Sequence, residues 1–334
     1  MYEGISMGYG ESGYFENIQR ICLNYLTQNY DLCYLSAMHH KNRDLGADTI
    51  IVGSSHSMNG IIENELTSAG DVIQFSISSQ DLYYDFEHIK KAVFEKKKPI
   101  QRCLINLGYY MLYQDLSLSK LVRVIIPSVY LNLFGEDRFH NWSEAKKRDP
   151  FSSVTFDEEL YPPELMKELC RFWSDKAILE QSSYYGDLLA RENNNMLGVK
   201  KVLWSSLSKD DRKAYAENRV LNGHNKHIEH VQTREENGVI LSEMVKLLAD
   251  NNIKTYFFIT PYTDFYMEFI NPGYKEDIFK ALSELPYPVE FFDMNDLSQE
   301  FDDGDFIDSD HLNLHGAHKA TSLLNSFISM AEGK

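Results

Sequence analysis

The chain has 334 residues, enough for one or two domains and a sizeable core. Lys and Arg number 33 against 50 Asp and Glu, a net charge of −17, and so acidic a surface repels nucleic-acid phosphates and anionic lipid head groups. No stretch approaches the ~20 apolar residues of a membrane span. Neither nucleic acid nor a bilayer is therefore an expected partner.

In chain order, Met1 to Ser6 lacks a basic region followed by an apolar run, so no signal peptide is expected. Cys22, Cys33, Cys103 and Cys170 lie far apart without a C-x-x-C pair, and reduced thiols in the cytoplasm are the simplest reading. The chain is rich in Tyr (21) and Phe (19), which read as core. Residues 14–38 mix aromatic and aliphatic positions and predict one helix. Thr49-Ile50-Ile51-Val52 is an apolar run suited to a buried parallel strand. It enters Gly53-Ser54-Ser55-His56-Ser57, with a helix expected over Met58–Leu66. A Gly-Ser-Ser turn between strand and helix bends the backbone sharply. It sets a hydroxyl where unpaired N–H groups and the helix dipole favour negative charge. Taken alone, these serines read as helix caps.

A second strand is expected over Asp71–Ile77, then Ser78-Ser79-Gln80-Asp81 and a helix from Leu82 to about Lys97. A third strand, Arg102–Leu107, runs into Gly108-Tyr109-Tyr110. Residues 112–232 then form a long, mainly helical insertion. Its most apolar part, Lys120–Phe134, reads as a buried helix broken at Pro127, and Phe139-His140-Asn141-Trp142 is a weak sugar-contact candidate. His224, His227 and His230 recur every third residue, a spacing that drifts around a helix, so a solvated or capping role is expected rather than a metal site. His315 and His318 invite the same reading. Thr233-Arg234-Glu235-Glu236 looks like a capping box, followed by an apolar face of Ile240, Met244, Leu247 and Leu248. Strands at Thr255–Ile259 and Val289–Phe292 complete a set of five. Strands alternating with helices predict a single α/β domain with a parallel sheet, its ligand site at the strands' C-terminal ends.

The last block, Asp308-Ser309-Asp310-His311, changes the reading of the first. In Asp-x-x-His one tight turn carries a base and the carboxylate that orients it, leaving the other imidazole nitrogen for Ser55. Asp310 sits next to His311 and would have to fold back to replace Asp308. A helix from about Leu314 to Met330 anchors the turn.

A strand ending in Gly53-Ser54-Ser55 and a C-terminal Asp308-x-x-His311 resemble the first and last blocks of the SGNH (GDSL-like) hydrolase superfamily. The Gly-Ser-Ser turn is similar to its branch with the D-alanine-transfer protein of teichoic acid modification, related to the alginate O-acetylation proteins. The resemblance implies a three-layer α/β/α fold with a five-stranded parallel sheet of flavodoxin-like type. It implies Ser55 as nucleophile, His311 as base and Asp308 as acid. A backbone N–H at Ser79, where the family has Gly, would join the oxyanion hole. The family's oxyanion Asn position holds Tyr110, so Tyr110 O–H, Asn106 or nothing replaces that donor. The branch further implies an acylated carbohydrate or cell-envelope glycopolymer as substrate, with acyl-CoA as a candidate donor. Its chemistry needs neither cofactor nor metal. The rival expectation is a carbohydrate-binding or scaffold protein that kept the fold. A nucleotide-binding protein fits less well, since there is no G-x-G-x-x-G and no Walker Lys after Gly53.

Overall fold

The computed structural model describes residues 31–32, 34–119, 125–135 and 204–333. Five strands form one all-parallel sheet: β1 Thr49–Gly53, β2 Val72–Ser76, β3 Arg102–Asn106, β4 Lys254–Ile259 and β5 Glu290–Asp293. Their order is β2-β1-β3-β4-β5. Side chains alternate across the sheet as the pleat requires. Ile50 and Val52 enter one apolar layer, built with helix α1 (residues 34–44) and helices α3 Leu82–Phe94 and α5 Val231–Asp250. Ile51 enters the other, against α8 Leu314–Ala331, with α2 Ser55–Gly60 packed beside it. Ile50, Ile51 and Val52 are fully buried, each burial stabilising the fold by about 1.5–3 kcal/mol. Burial on both faces is why this strand reads as an unbroken apolar run. Helices α4 Lys209–Arg219, α6 Asp264–Phe269 and α7 Pro272–Ser283 complete the layers. The expected α/β/α architecture is therefore present.

From β1 the chain moves outward to β2, then crosses back to β3 on the other side of β1. That reversal opens a crevice at the C-terminal ends of β1 and β3, the usual ligand position in such sheets. No helix among the described residues is long and apolar enough to cross a membrane.

Several boundaries differ from the sequence reading. The helix after β1 begins at Ser55, not Met58, and ends at Gly60, where Ile61 turns extended; two 3₁₀ turns, Glu63–Glu65 and Thr67–Ala69, carry the chain on. At that end Gly60 lies against Thr260, whose Cγ2 would sit 3.1 Å from an added Cβ. No capping box opens α5: its N-cap is His230, and Thr233 is buried within the first turn. Within the described residues 125–134 the chain is helical through Pro127, which stands at the start of the turn Ile126–Tyr130. Most of 14–38, the 139–142 aromatic cluster and Cys22, Cys33 and Cys170 lie outside the described residues, whereas Cys103 is a buried free thiol in β3.

Candidate active site

The turn after β1 is shaped by one glycine. Gly53 has φ +152°, and a Cβ there would stand 2.6 Å from both Asn106 Cβ and Ser57 Oγ. Only a residue without a side chain fits between the strand ends. The Gly53 N–H faces the buried carboxyl of Asp85 on α3, which accepts from Gln80 Nε2 at 2.7 Å. Burial raises the Asp85 carboxyl well above the ordinary range. Ser54 is the N-cap of α2 without a side-chain cap bond, so the chain enters the helix at Ser55. Ser57 Oγ is hydrogen-bonded to Ser54 O at 3.1 Å and to Ser76 Oγ at 2.8 Å, which ties the β1 and β2 turns together.

Ser55 Oγ lies 2.8 Å from His311 Nε2, although 256 residues separate them. His311 Nδ1 lies 3.0 and 3.1 Å from the two oxygens of Asp308. A carboxylate only accepts, so Nδ1 carries the proton and Nε2 accepts from the Ser55 hydroxyl. Asp308 also accepts the backbone N–H of Asp310 at 3.0 Å and of His311 at 2.9 Å, so one carboxylate closes the turn and orients the ring. Burial works against the imidazolium, yet Asp308 and Asp310 outweigh it and hold His311 above its ordinary pKa. The three residues read from the sequence as Ser-His-Asp are thus brought together.

The oxyanion candidates are placed less uniformly. The first N–H groups of α2 have no intrahelical partner, since its first bond runs from Met58 N to Ser54 O. Ser79 adopts φ +63°, the left-handed conformation that favours glycine, at a cost of about 1–2 kcal/mol for a residue with a Cβ. Its carbonyl is held by Gln114 Nε2 at 3.2 Å, and its N–H donates no hydrogen bond among the described residues. It does not cap the next helix; Asp81 does, accepting from Tyr84 N at 3.2 Å. Asn106 is fully buried, its amide 3.4 Å from the Phe258 carbonyl. Tyr110 is buried with its ring stacked on His224 at 3.8 Å. The Asn106 amide is thus turned to the Phe258 carbonyl and the Tyr110 ring to His224.

The sequence reading missed a second layer. Asp310, next to His311 in the turn, is fully buried. It accepts from Arg219 Nε at 3.1 Å and Arg219 Nη2 at 2.9 Å, and lies 3.4 Å from His56 Nε2. The His56 ring stacks on His311 with centroids 4.8 Å apart. Burial pushes His56 below its ordinary pKa; Asp310 is held well below the carboxylate range because His311, Arg219 and His56 together outweigh its burial. His224, expected to be solvated or capping, is instead buried between Tyr110 and Tyr266. His227 is half-buried, and His230 is the N-cap residue of α5 with its ring 3.3 Å from the Tyr113 carbonyl. His315 and His318 pair with Asp305 and Glu65. The only signals for the second layer were the adjacency of Asp310 to His311 and of His56 to Ser55. Side-chain atoms of His56, Asp310 and His311 lie within 4.8 Å of one another, close enough to admit a cation. The positive charge that meets Asp310 there is the Arg219 guanidinium.

Beside the site is a cavity of about 500 Å³. Tyr262, whose ring stands edge-on to His56 at 5.3 Å, is a wall of it; Lys209, Arg212, Phe265, Phe301 and Phe306 supply others. Compared with known protein families and with curated proteins, this chain matches none.

Proposed function

We propose that this chain is a serine esterase or O-acyltransferase of the SGNH type. One observation carries the reading: Ser55 Oγ within 2.8 Å of His311 Nε2, with Asp308 on the opposite imidazole nitrogen. In this reading His311 takes the Ser55 proton as Oγ attacks an ester or thioester carbonyl, and the carbonyl electron pair becomes the oxyanion. Backbone N–H groups of Ser55 and Ser79 hold that oxyanion. Collapse expels the leaving group, which takes the proton from His311. Water or a sugar hydroxyl then attacks the acyl-serine by the same steps in reverse. The adjoining cavity, with aromatic walls and a Lys209/Arg212 edge, suits a carbohydrate acceptor or glycopolymer precursor, and acyl-CoA is a candidate donor. Cytoplasmic action is part of the proposal, in keeping with the free thiol of Cys103.

A second reading is favoured by the packing of Tyr110 on His224 and of the Asn106 amide on the Phe258 carbonyl. It is a carbohydrate-binding or scaffold protein that retains the fold. Intact mass after incubation with a panel of acyl esters and acyl-CoAs separates the two. A stable acyl adduct lost on Ser55→Ala supports the enzyme; sugar binding with no adduct from any donor supports the scaffold.

A further inference from the structure

We infer that Asp310, held by Arg219, is a second positioning carboxylate for His311. The inference rests on the acyl-serine reading above and extends it to a residue outside the Ser55-His311-Asp308 set. Asp310 Oδ1 lies 3.8 Å from His311 Nδ1, too far for a hydrogen bond but close for a charge. Asp308 is nearer, at 3.0 Å, yet its side chain is 26% exposed while that of Asp310 is fully buried. Solvent screens the nearer charge more than the farther one. Both carboxylates therefore act on the imidazolium formed when Ser55 loses its proton.

A buried carboxyl alone would take up a proton and lose this role. Arg219 prevents that. It reaches Asp310 with two nitrogens across 91 residues of sequence, from the C-terminal end of α4. Ser309 Oγ, at 3.1 Å, and His56 Nε2 add donors. The charged and titratable groups facing His311 are Asp308 and Asp310 from its own turn, His56 from α2, and Arg219 from α4. Tyr215 on α4 faces both carboxylates, and His224 faces Asp310. Arg219 thus lets the inserted segment set the charge felt by a base carried on the last turn before α8. A clamp that only docked α4 onto this turn would have no need of a carboxylate within 3.8 Å of the imidazole.

The test is an NMR titration of the His311 imidazole nitrogens, assigned by their loss in His311→Gln, alongside the pH profile for an activated ester. Asp310→Asn should lower the His311 pKa by about one unit, a tenfold loss of proton affinity. The acid limb of kcat/KM should fall with it. Arg219→Gln should move the titration the same way, because the buried Asp310 carboxyl, without its guanidinium, takes up a proton and its charge is lost. An unchanged His311 pKa in Asp310→Asn overturns the inference. Should that variant fail to fold, Arg219→Gln decides, and an unchanged titration there overturns it equally. The titration is independent of turnover. A native protein that never cleaves an ester but shows both shifts contradicts the hydrolase reading and leaves the second carboxylate standing.

Discussion

Replacing Gly53 by Ala should damage both the fold and the nucleophile. The added methyl would stand 2.6 Å from Asn106 Cβ and from Ser57 Oγ, against the ~3.5–4.0 Å of ordinary packing. Neither neighbour can retreat. Asn106 belongs to β3, paired with β4, and Ser57 is bonded to Ser54 and Ser76. The φ of +152° adds backbone strain of about 1–3 kcal/mol for a residue with a Cβ. Overpacking adds another ~1–3 kcal/mol. The sum, ~2–6 kcal/mol, is a large part of a net stability of about 5–15 kcal/mol. With a urea m-value of about 1–3 kcal/mol/M, the midpoint should fall by ~1–2 M or more. Where the variant is still folded by circular dichroism, turnover should also fall ~10²-fold, because Ser55 follows two residues on and tolerates little displacement. A urea midpoint and a turnover both equal to those of the native protein would refute this account of the turn.

Asp308→Asn should leave the fold intact and lower turnover of an activated ester by ~10⁴, since an amide no longer fixes the Nδ1–H tautomer or stabilises the imidazolium; steady-state kinetics check this, and a loss below tenfold contradicts it. Tyr110→Phe should reduce turnover less than ~10-fold, because the ring stacks on His224 and the hydroxyl is not needed as a donor; a loss of ~10² would make that hydroxyl the missing oxyanion group. Acid should destabilise the fold below the ordinary histidine pKa of about 6.5. Burial holds His39, His56 and His224 below that value and His88 at about 3, so the unfolded chain binds their protons first as pH falls. Each such group removes ~1.4 kcal/mol per pH unit, fully present above its unfolded pKa and lost toward its folded one. His311, raised instead, opposes this with stability present below its unfolded pKa and lost as pH rises through its folded one. With His227, lowered by burial to about 4, five groups outweigh one, so Tm should drop steadily from about pH 7 to about pH 5; a flat Tm over that range contradicts the assignment.

What the sequence made legible was whatever depends on local pattern. Thr49 to Val52 announced itself because a strand buried on both faces has no polar positions to alternate with. Asp308 and His311 were legible because one turn holds both, and Ser55 because a Gly-Ser-Ser corner follows a strand. The second layer was not. Arg219 meets Asp310 over 91 residues and His56 meets it over 254, and no local spacing encodes such contacts. The left-handed Ser79 was also hidden, since a serine in sequence does not advertise positive φ. The capping-box motif at Thr233 misled because the 3₁₀ turn Asn225–Glu229 already brings the chain to the helix at Val231. The spacing of His224 reads as solvated or capping because its aromatic partners, Tyr110 and Tyr266, lie 114 and 42 residues away on either side.

The nucleophile assignment is tested most directly by fluorophosphonate labelling followed by peptide mapping. A serine hydroxyl reacts with this reagent when a base takes its proton and donors hold the oxyanion. The native protein should label, and the adduct should map to Ser55. Label should be absent from Ser55→Ala, strongly reduced in His311→Ala and retained in Ser57→Ala, whose hydroxyl faces Ser76. A Ser55→Ala protein that labels as well as the native one, or a native protein that never labels, would contradict the assignment of Ser55 as nucleophile.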